Sequence, residues 1–324
     1  MGCFYVESPA MRMLMQKLQT QSYVDLVAAS SIIRPGVSSS GMMRQYILRH
    51  RNPERRKDAI PALLELLPDT YGVMVYQEDV IKVAHHYGGL TLAEADVLRR
   101  SMSGKFRSRQ EFQNVQNQFF ANGSTQGRPD TEVAEIWRQM ESFAGYAFAK
   151  GHSASYAVES FQSLYLKAHY PLEYLTATLN NGGGFYRKSV YLREAKRLGA
   201  HVEPPCVQNG GWNYRLRGTS LFVGFFQISG IDERFCQSIE KERDKGDLFT
   251  SLIDFIDRMQ SPQKPIPLES LLLLIRIGAF RFTQVPQRAL LWEAHRLLGH
   301  RLPPPQSESL FSPNRTPVKL PVLE

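Results

Sequence analysis

The chain has 324 residues, 43% of them apolar, and a formal net charge of +8, so it can bury real cores in about two domains and favours a polyanionic partner. Its three cysteines, Cys3, Cys206 and Cys236, are far apart, which argues against a disulfide framework or a zinc site and for a reducing compartment. No apolar run reaches the roughly 18–20 residues of a membrane span, no signal peptide opens the chain, and Val6 stands where a myristoylation motif needs Ser or Thr, a pattern that excludes a membrane partner and predicts a cytoplasmic protein.

Gly2 to Val6 reads as the end of a strand. Ser8-Pro9 then supplies the N-cap and first turn of a helix with Met11, Leu14, Met15 and Leu18 on its apolar face. A second helix, 23–33, stops before Pro35-Gly36. From Arg44 to Lys57, Arg44, Arg49, Arg51, Arg55, Arg56, Lys57 and His50 face a single acid, Glu54. Such a segment suits a nucleic-acid backbone, where each neutralised phosphate releases counterions, and equally suits a solvated loop.

The most informative stretch runs from Asp69 to Lys105. After a turn at Pro68–Gly72 comes a β-leaning run, Val73–Tyr76, and then a helix with Val80, Val83, Ala84 and Tyr87 on one face. Gly88-Gly89 stops it. Thr91 and Glu94 form a capping box that starts the next helix, on which Ala95, Leu98 and Met102 face a core while Asp96, Arg99 and Arg100 do not. Arg99, Arg100, Lys105, Arg107 and Arg109 place five cations in eleven residues. Guanidinium forks on a rigid helix suit phosphate oxygens, whereas an exposed helix end with an Asp96–Arg100 pair is the plainer alternative.

Between Phe106 and Tyr170 the pattern is helix after helix. Phe112, Val115, Phe119 and Phe120 share a face, Asn122-Gly123-Ser124 breaks that helix, and Asp130 caps one bearing Val133, Ile136, Trp137 and Met140. A long helix follows, with Ala157, Phe161, Leu164, Tyr165 and Ala168 on one side and Pro171 at its end. Lys150-Gly151-His152-Ser153 at its start is a candidate anion site. Adjacency and the lack of an acyl-transfer motif argue against a Ser153–His152 hydrolase. Metal binding by His85-His86 is disfavoured in the same way, because neighbours on a helix diverge by about a hundred degrees.

Residues 180–184 form a loop and 186–199 a helix closed by Gly199. From His201 to Phe226 the texture changes to a small β-hairpin around Arg217-Gly218-Thr219, a boundary between domains. Residues 227–259 read as helix, turn at Ser229-Gly230-Ile231-Asp232, helix, with a break at Lys245-Gly246-Asp247. Residues 266–295 repeat the outline around Ile277-Gly278-Ala279. Tandem helix-hairpin-helix modules, whose turn amides cradle phosphate, fit this outline, as does a plain helical bundle. Residues 301–324, punctuated by six prolines, read as a disordered tail.

Several blocks, in order, resemble the alpha subunit of bacterial DNA polymerase III, the C-family replicative polymerase. Ile33-Arg34-Pro35-Gly36 with Gly41-Met42 is similar to its RPGP…GM segment, and Asp69 to Glu78 to its TYG…YQEQ block. Glu94 to Arg100 is similar to EADLLRR, Phe143 to Tyr156 to FAxYxFxKSHxxxY, and Lys167 to Pro171 to KAHYP. The likeness covers roughly residues 1–300. It implies a mainly α chain: a fingers region over 1–200, a β-hairpin connector over 201–226, tandem helix-hairpin-helix modules over 227–300 and the tail over 301–324.

The resemblance also implies that Arg99 and Arg100 contact the triphosphate of an incoming deoxynucleotide and that Lys150 and His152 lie near the nucleotide or primer terminus, with Lys105 a further candidate cation. From their charge Arg44, Arg49, Arg51, Arg55 and Arg56, and from its place in the first hairpin turn Gly230, are the candidates for contact with primer–template DNA. Magnesium is the cofactor of the full-length enzymes. The palm carboxylates, a paired D-x-D and a K-x-D-x-L-G-L block, do not occur in this sequence, so the expectation is a fragment of a DNA-directed DNA polymerase that does not polymerise by itself and holds no metal. A free-standing, non-enzymatic DNA-binding helical protein is the other reading. Gln306 to Phe311 resembles the Q-x-x-L-F pattern of sliding-clamp peptides with the spacing off by one, and an unrelated tail is its alternative. Asp79 stands where the family usually has Gln, Gly151 where it has Ser, Phe106 where it often has Lys, and Asp232 where the first hairpin has its second Gly.

Overall fold

The structure, a computed structural model, describes residues 1–33, 40–102, 109–143, 149–261 and 265–299, with the side chains of 101, 102 and 109 excepted. Lys105, Phe106, the Arg34–Gly36 part of the first block and the whole of 301–324, including the tail motif, lie outside these residues. The described residues are mainly helical, with one small three-stranded sheet. They divide into two compact units, Cys3–Tyr165 and Met1–Gly2 with Leu166–Glu324.

In the first unit, α1 (Pro9–Leu18) is capped by Ser8, whose hydroxyl accepts from the Met11 amide, and buries Met11, Leu14 and Leu18. Ser22 and Asp25 form a reciprocal cap on α2 (Tyr23–Ile32). Helix α3 (Met42–Arg51) leads into a 3-10 turn at Pro53–Asp58 and the short α4 (Pro61–Leu66). Then come α5 (Gln77–His86), α6 (Leu92–Met102), α7 (Arg109–Thr125), α8 (Asp130–Glu141) and the start of α9 (Lys150–His169). One core joins Leu14 and Ile32 to Met42, Val80, Ala95, Phe119 and Trp137.

Four sequence expectations need correction here. Gly2 to Val6 forms turns rather than a strand, with Tyr5 at φ 63° and its ring against Tyr156 at 5.0 Å. Val73–Tyr76 is fully buried yet pairs with no strand; the Val75 and Tyr76 amides donate instead to Asp79 Oδ2 at 2.8 and 2.9 Å. Helix α7 runs through Asn122–Ser124 to Thr125, because packing of α8 along it overrides weak local propensity. Asp130 is the first helical residue rather than the cap, which is Pro129.

A fifth difference lies on the apolar side of α9. Ala157 is buried, but Phe161, Leu164 and Tyr165 are 42%, 41% and 59% exposed. Ser153 and Ser160 share the buried stripe with Ala157. These small residues let other backbone come close: Ser153 hydrogen-bonds Ser31, and Ser160 Oγ donates to the Phe4 carbonyl at 3.1 Å.

In the second unit, α10 (Pro171–Asn180) and α11 (Lys188–Arg197) pack on a sheet of β1 (His201–Glu203), β2 (Arg215–Arg217) and β3 (Ser220–Phe222), in the order β1-β3-β2. Their core is Leu175, Leu179, Tyr191, Ala195, Tyr214 and Leu221. The hairpin β2–β3 closes through Gly218-Thr219, and Gly218 at φ +57° takes a conformation other residues rarely adopt. The parallel partner β1, paired Val202 to Leu221, is an addition to the expected hairpin.

A separate core of Phe225, Ile239, Phe255, Leu271, Leu274 and Phe280 unites α12 (Glu233–Lys245), α13 (Leu252–Met259), α14 (Leu268–Arg276) and α15 (Gln287–Leu298). The expected helix before Gly230 is only a 3-10 turn at Phe225–Gln227. The second outline, α14–Gly278–α15, has a helix on both sides of its turn region.

Candidate nucleotide and nucleic-acid interface

Three elements of the first unit meet at the first turn of α5. Gln77 Nε2 donates to the Arg99 carbonyl near the end of α6 at 3.3 Å. Its neighbour Glu78 accepts the Lys150 amide at the start of α9, at 2.9 and 3.1 Å. Arg99, Arg100 and Lys150, some fifty residues apart in sequence, are therefore tied to one short turn. The Lys150 ammonium lies 5.1 Å from the Tyr76 ring centroid and 3.9 Å from Asp69 Oδ2. His152 follows on the exposed side of α9.

The capping box behind α6 is present: the Thr91 amide donates to Glu94 at 2.7 Å, and the Glu94 amide to Thr91 Oγ1 at 3.2 Å. It fixes the helix so that Ala95 and Leu98 are buried and Arg99 and Arg100 emerge near its C-terminal end, where cations suit the helix dipole. Asp96 holds both, Arg99 at 2.6 Å and Arg100 at 3.2 Å, and the Arg99 hydrogen bond keeps the Asp96 carboxyl below its ordinary range. The pairs are about half exposed, so water screens them and a phosphate has access.

Carboxylates thus engage these cationic groups. Asp96 takes the guanidinium forks and Glu78 the amide at the positive end of α9. The Asp96–Arg100 pair was legible in the sequence, whereas the contact of Glu78 with the Lys150 amide was not. Gln77, Glu78, Asp69 and Tyr76 carry this geometry, and the DTYG…YQE block containing them was the available signal. Asp79 has a different task, because burial pushes its carboxyl up to about 6 against its two amide donors and the Lys150 charge.

The basic segment 44–57 is mostly committed internally. Arg49 is buried and donates to the carbonyls of Tyr71 at 3.0 Å and Asp58 at 3.2 Å. Arg56 stacks on Tyr71 at 4.2 Å, Arg55 pairs with Asp58 at 3.0 Å, Arg51 bonds Gln19, and Lys57 pairs with Glu54 at 2.6 Å. Arg44 is exposed and, among the described residues, makes no ion pair. In the second unit Gly230 is exposed at φ +78°. Asp232 is the N-cap of α12, accepting the Phe235 amide at 2.6 Å, while its own amide donates to Ser270 at 3.3 Å.

Residues 1–127 match the family described as the bacterial DNA polymerase III alpha subunit finger domain, and residues 199–290 the family described as a helix-hairpin-helix motif. DNA polymerase III subunit alpha of Aquifex aeolicus is 32% identical over 291 residues, which cover 90% of this chain and 25% of that protein. That of Thermus aquaticus is 33% identical over 284 residues, 86% of this chain and 23% of that protein. This chain belongs to the DNA polymerase III alpha family. An error-prone DNA polymerase of Bdellovibrio bacteriovorus is also 33% identical, over 91% of the chain and 28% of its own length. The chain spans about a quarter of the length of these relatives.

DNA polymerase III alpha chains work with magnesium. Among the described residues no three His, Cys, Asp or Glu side chains converge on a metal site. The carboxylates nearest the cation cluster are engaged: Asp79 by two amides, Glu78 by Lys150, Asp96 by two arginines and Glu94 by its cap. These residues do not fit a metal pair. No helix among the described residues is long and apolar enough to cross a membrane.

Proposed function

We propose that this chain supplies the nucleotide-binding fingers and the DNA-binding hairpin region of a template-directed DNA polymerase, acting in the cytoplasm. Arg99, Arg100 and Lys150, with His152 and Lys105, receive the triphosphate of a deoxynucleotide. The first turn of α5 carries this reading, because it ties the arginine end of α6 to the start of α9. Fixed cations there stabilise charge on the transferring phosphates, the largest protein contribution in phosphoryl transfer. Arg44, Arg51, Arg55 and Arg56 and the Gly230 turn contact the DNA backbone, with Arg49 positioning that segment from inside.

The chain alone binds deoxynucleotide but does not extend primers, because two-metal transfer needs carboxylates converging on one rigid platform. The test is titration with a fluorescent deoxynucleoside triphosphate beside a primer-extension assay with magnesium. Arg99→Ala with Arg100→Ala is expected to weaken nucleotide binding at least tenfold, since each charge-assisted hydrogen bond contributes about 1.5–3 kcal/mol. Equal affinity in the double variant, or extension by the wild type that the variant abolishes, would refute the corresponding half of this reading.

A further inference from the structure

Helix α12 carries one row of cations, with acids on either side of it. Arg234, Lys241 and Lys245 recur at seven- and four-residue spacing, which places them within about 40° of arc over about 16 Å of helix. Glu233, Glu240 and Asp244 lie roughly 100° round the same helix. Glu240 is turned inward onto Arg215 and the Trp212 amide, while Asp244 is exposed, 3.6 Å from Arg243.

All three cations of the stripe are exposed, and among the described residues none of them is in an ion pair. This sets them apart from Arg49, Arg55, Arg99 and Arg100, each already held by a carbonyl or carboxylate. The stripe, with Ser238, lines a polar groove of about 890 Å³ whose other lining residues include Met259, Ser261, Ile266 and the acids Asp232, which caps α12, and Glu242, which pairs with Arg258. The second arginine lining the groove, Arg258, is structural: it reaches Glu242 at 3.4 Å, Asp254 at 3.7 Å and the Asp247 carbonyl at 2.9 Å, and it covers Phe249.

We infer that the Arg234–Lys241–Lys245 face of α12 is a docking stripe for a nucleic-acid phosphate backbone, distinct from the Gly230 turn. A rigid row of unpaired cations complements a regularly charged strand, and about 16 Å corresponds to some five phosphates of axial rise on one strand. Three neutralised phosphates release counterions without reading bases, so the stripe adds affinity and register but no sequence preference. The inference rests on the DNA-binding reading above and names a surface for it.

The test uses the full chain and a labelled mixed-sequence primer–template, with binding measured from low to moderate salt. Neutralising Arg234→Gln, Lys241→Gln and Lys245→Gln together is expected to reduce the slope of log K against log salt by about 2.7, or about 2.1 if the strand is single. Lys245→Gln alone should remove about a third of that, and melting temperatures should stay at the wild-type value because all three positions are exposed. An unchanged slope in a folded triple variant overturns this inference and leaves the broader reading standing. Loss of polyglutamate binding with the DNA slope intact assigns the groove to an acidic protein segment and also overturns it. A wild-type chain that binds no DNA at any salt removes the broader reading, and this one with it.

Discussion

Asp79 shows how one atom sets the start of the central helix. A single oxygen, Oδ2, accepts both the Val75 and Tyr76 amides and ends the buried extended run at α5. Its carboxyl, raised by burial from 3.8 to about 6, binds its proton more tightly in the folded chain than in the unfolded one. The folded state therefore holds more protons between about pH 4 and 6, and stability falls as pH rises through that window. With about 1.4 kcal/mol per unit, the loss by pH 7 is on the order of 3 kcal/mol. Asp79→Asn retains an oxygen for both amides and removes the charge. We expect it to melt higher than the wild type at pH 7 and to flatten the change between pH 4 and 6, measured by thermal unfolding. A wild type that grows more stable across that range, with Asn unchanged, would refute the account. Arg49 illustrates the opposite limit of sequence reading: in a run of cations nothing marks it as the one whose guanidinium closes the core beneath Tyr71 and Asp58.

At the scale of elements, glycine at the α5–α6 junction does two tasks. Gly89, at φ +60°, turns the chain, as the sequence pattern indicated. Gly88 has a second role visible only in three dimensions, because a Cβ there would stand 2.2 Å from the Phe119 ring of α7 and 2.7 Å from the Ala84 carbonyl. Phe119 is fully buried and has no room to retreat. Gly88→Ala is expected to destabilise the first unit by about 1–3 kcal/mol, the usual range for overpacking. Phe119→Leu should relieve part of it, so the double variant should melt higher than the sum of the two changes implies. Strict additivity in chemical denaturation would show that the two residues do not share the space. Helix α9 follows the same logic, since its buried line is set by Ser153, Ala157 and Ser160, whose small size permits close approach, and not by its larger apolar residues.

For the whole molecule, a net charge of +8 predicts salt-sensitive binding to nucleic acid without sequence preference. Two unrelated duplexes should show the same steep slope, and a flat response between low and moderate salt would contradict the expectation. Neutralising Arg44, Arg51, Arg55 and Arg56 together should lower the slope by about one to two, less than the roughly 3.6 of four free cations. The shortfall arises because Arg55 and Arg56 are already engaged with Asp58 and Tyr71. No change at all would remove this segment from the DNA surface.

The sequence alone determined the helical class, the caps at Ser8 and Thr91, the apolar faces of α5 and α8, the Gly218 hairpin and the family. Each rests on information local in the chain: residue spacing, a capping side chain, a turn glycine, a run of motif residues. Tertiary structure alone decided which cations are available. Arg49, Arg99, Arg234 and Lys241 are equivalent in sequence as positive charges. In the fold, Arg49 closes a core, Arg99 shares Asp96, and Arg234 and Lys241 face an open groove. It also decided that Glu78 caps α9, an approach between residues 72 positions apart. Charge and periodicity are properties of a residue and its near neighbours, whereas desolvation and pairing depend on what the folded chain brings alongside.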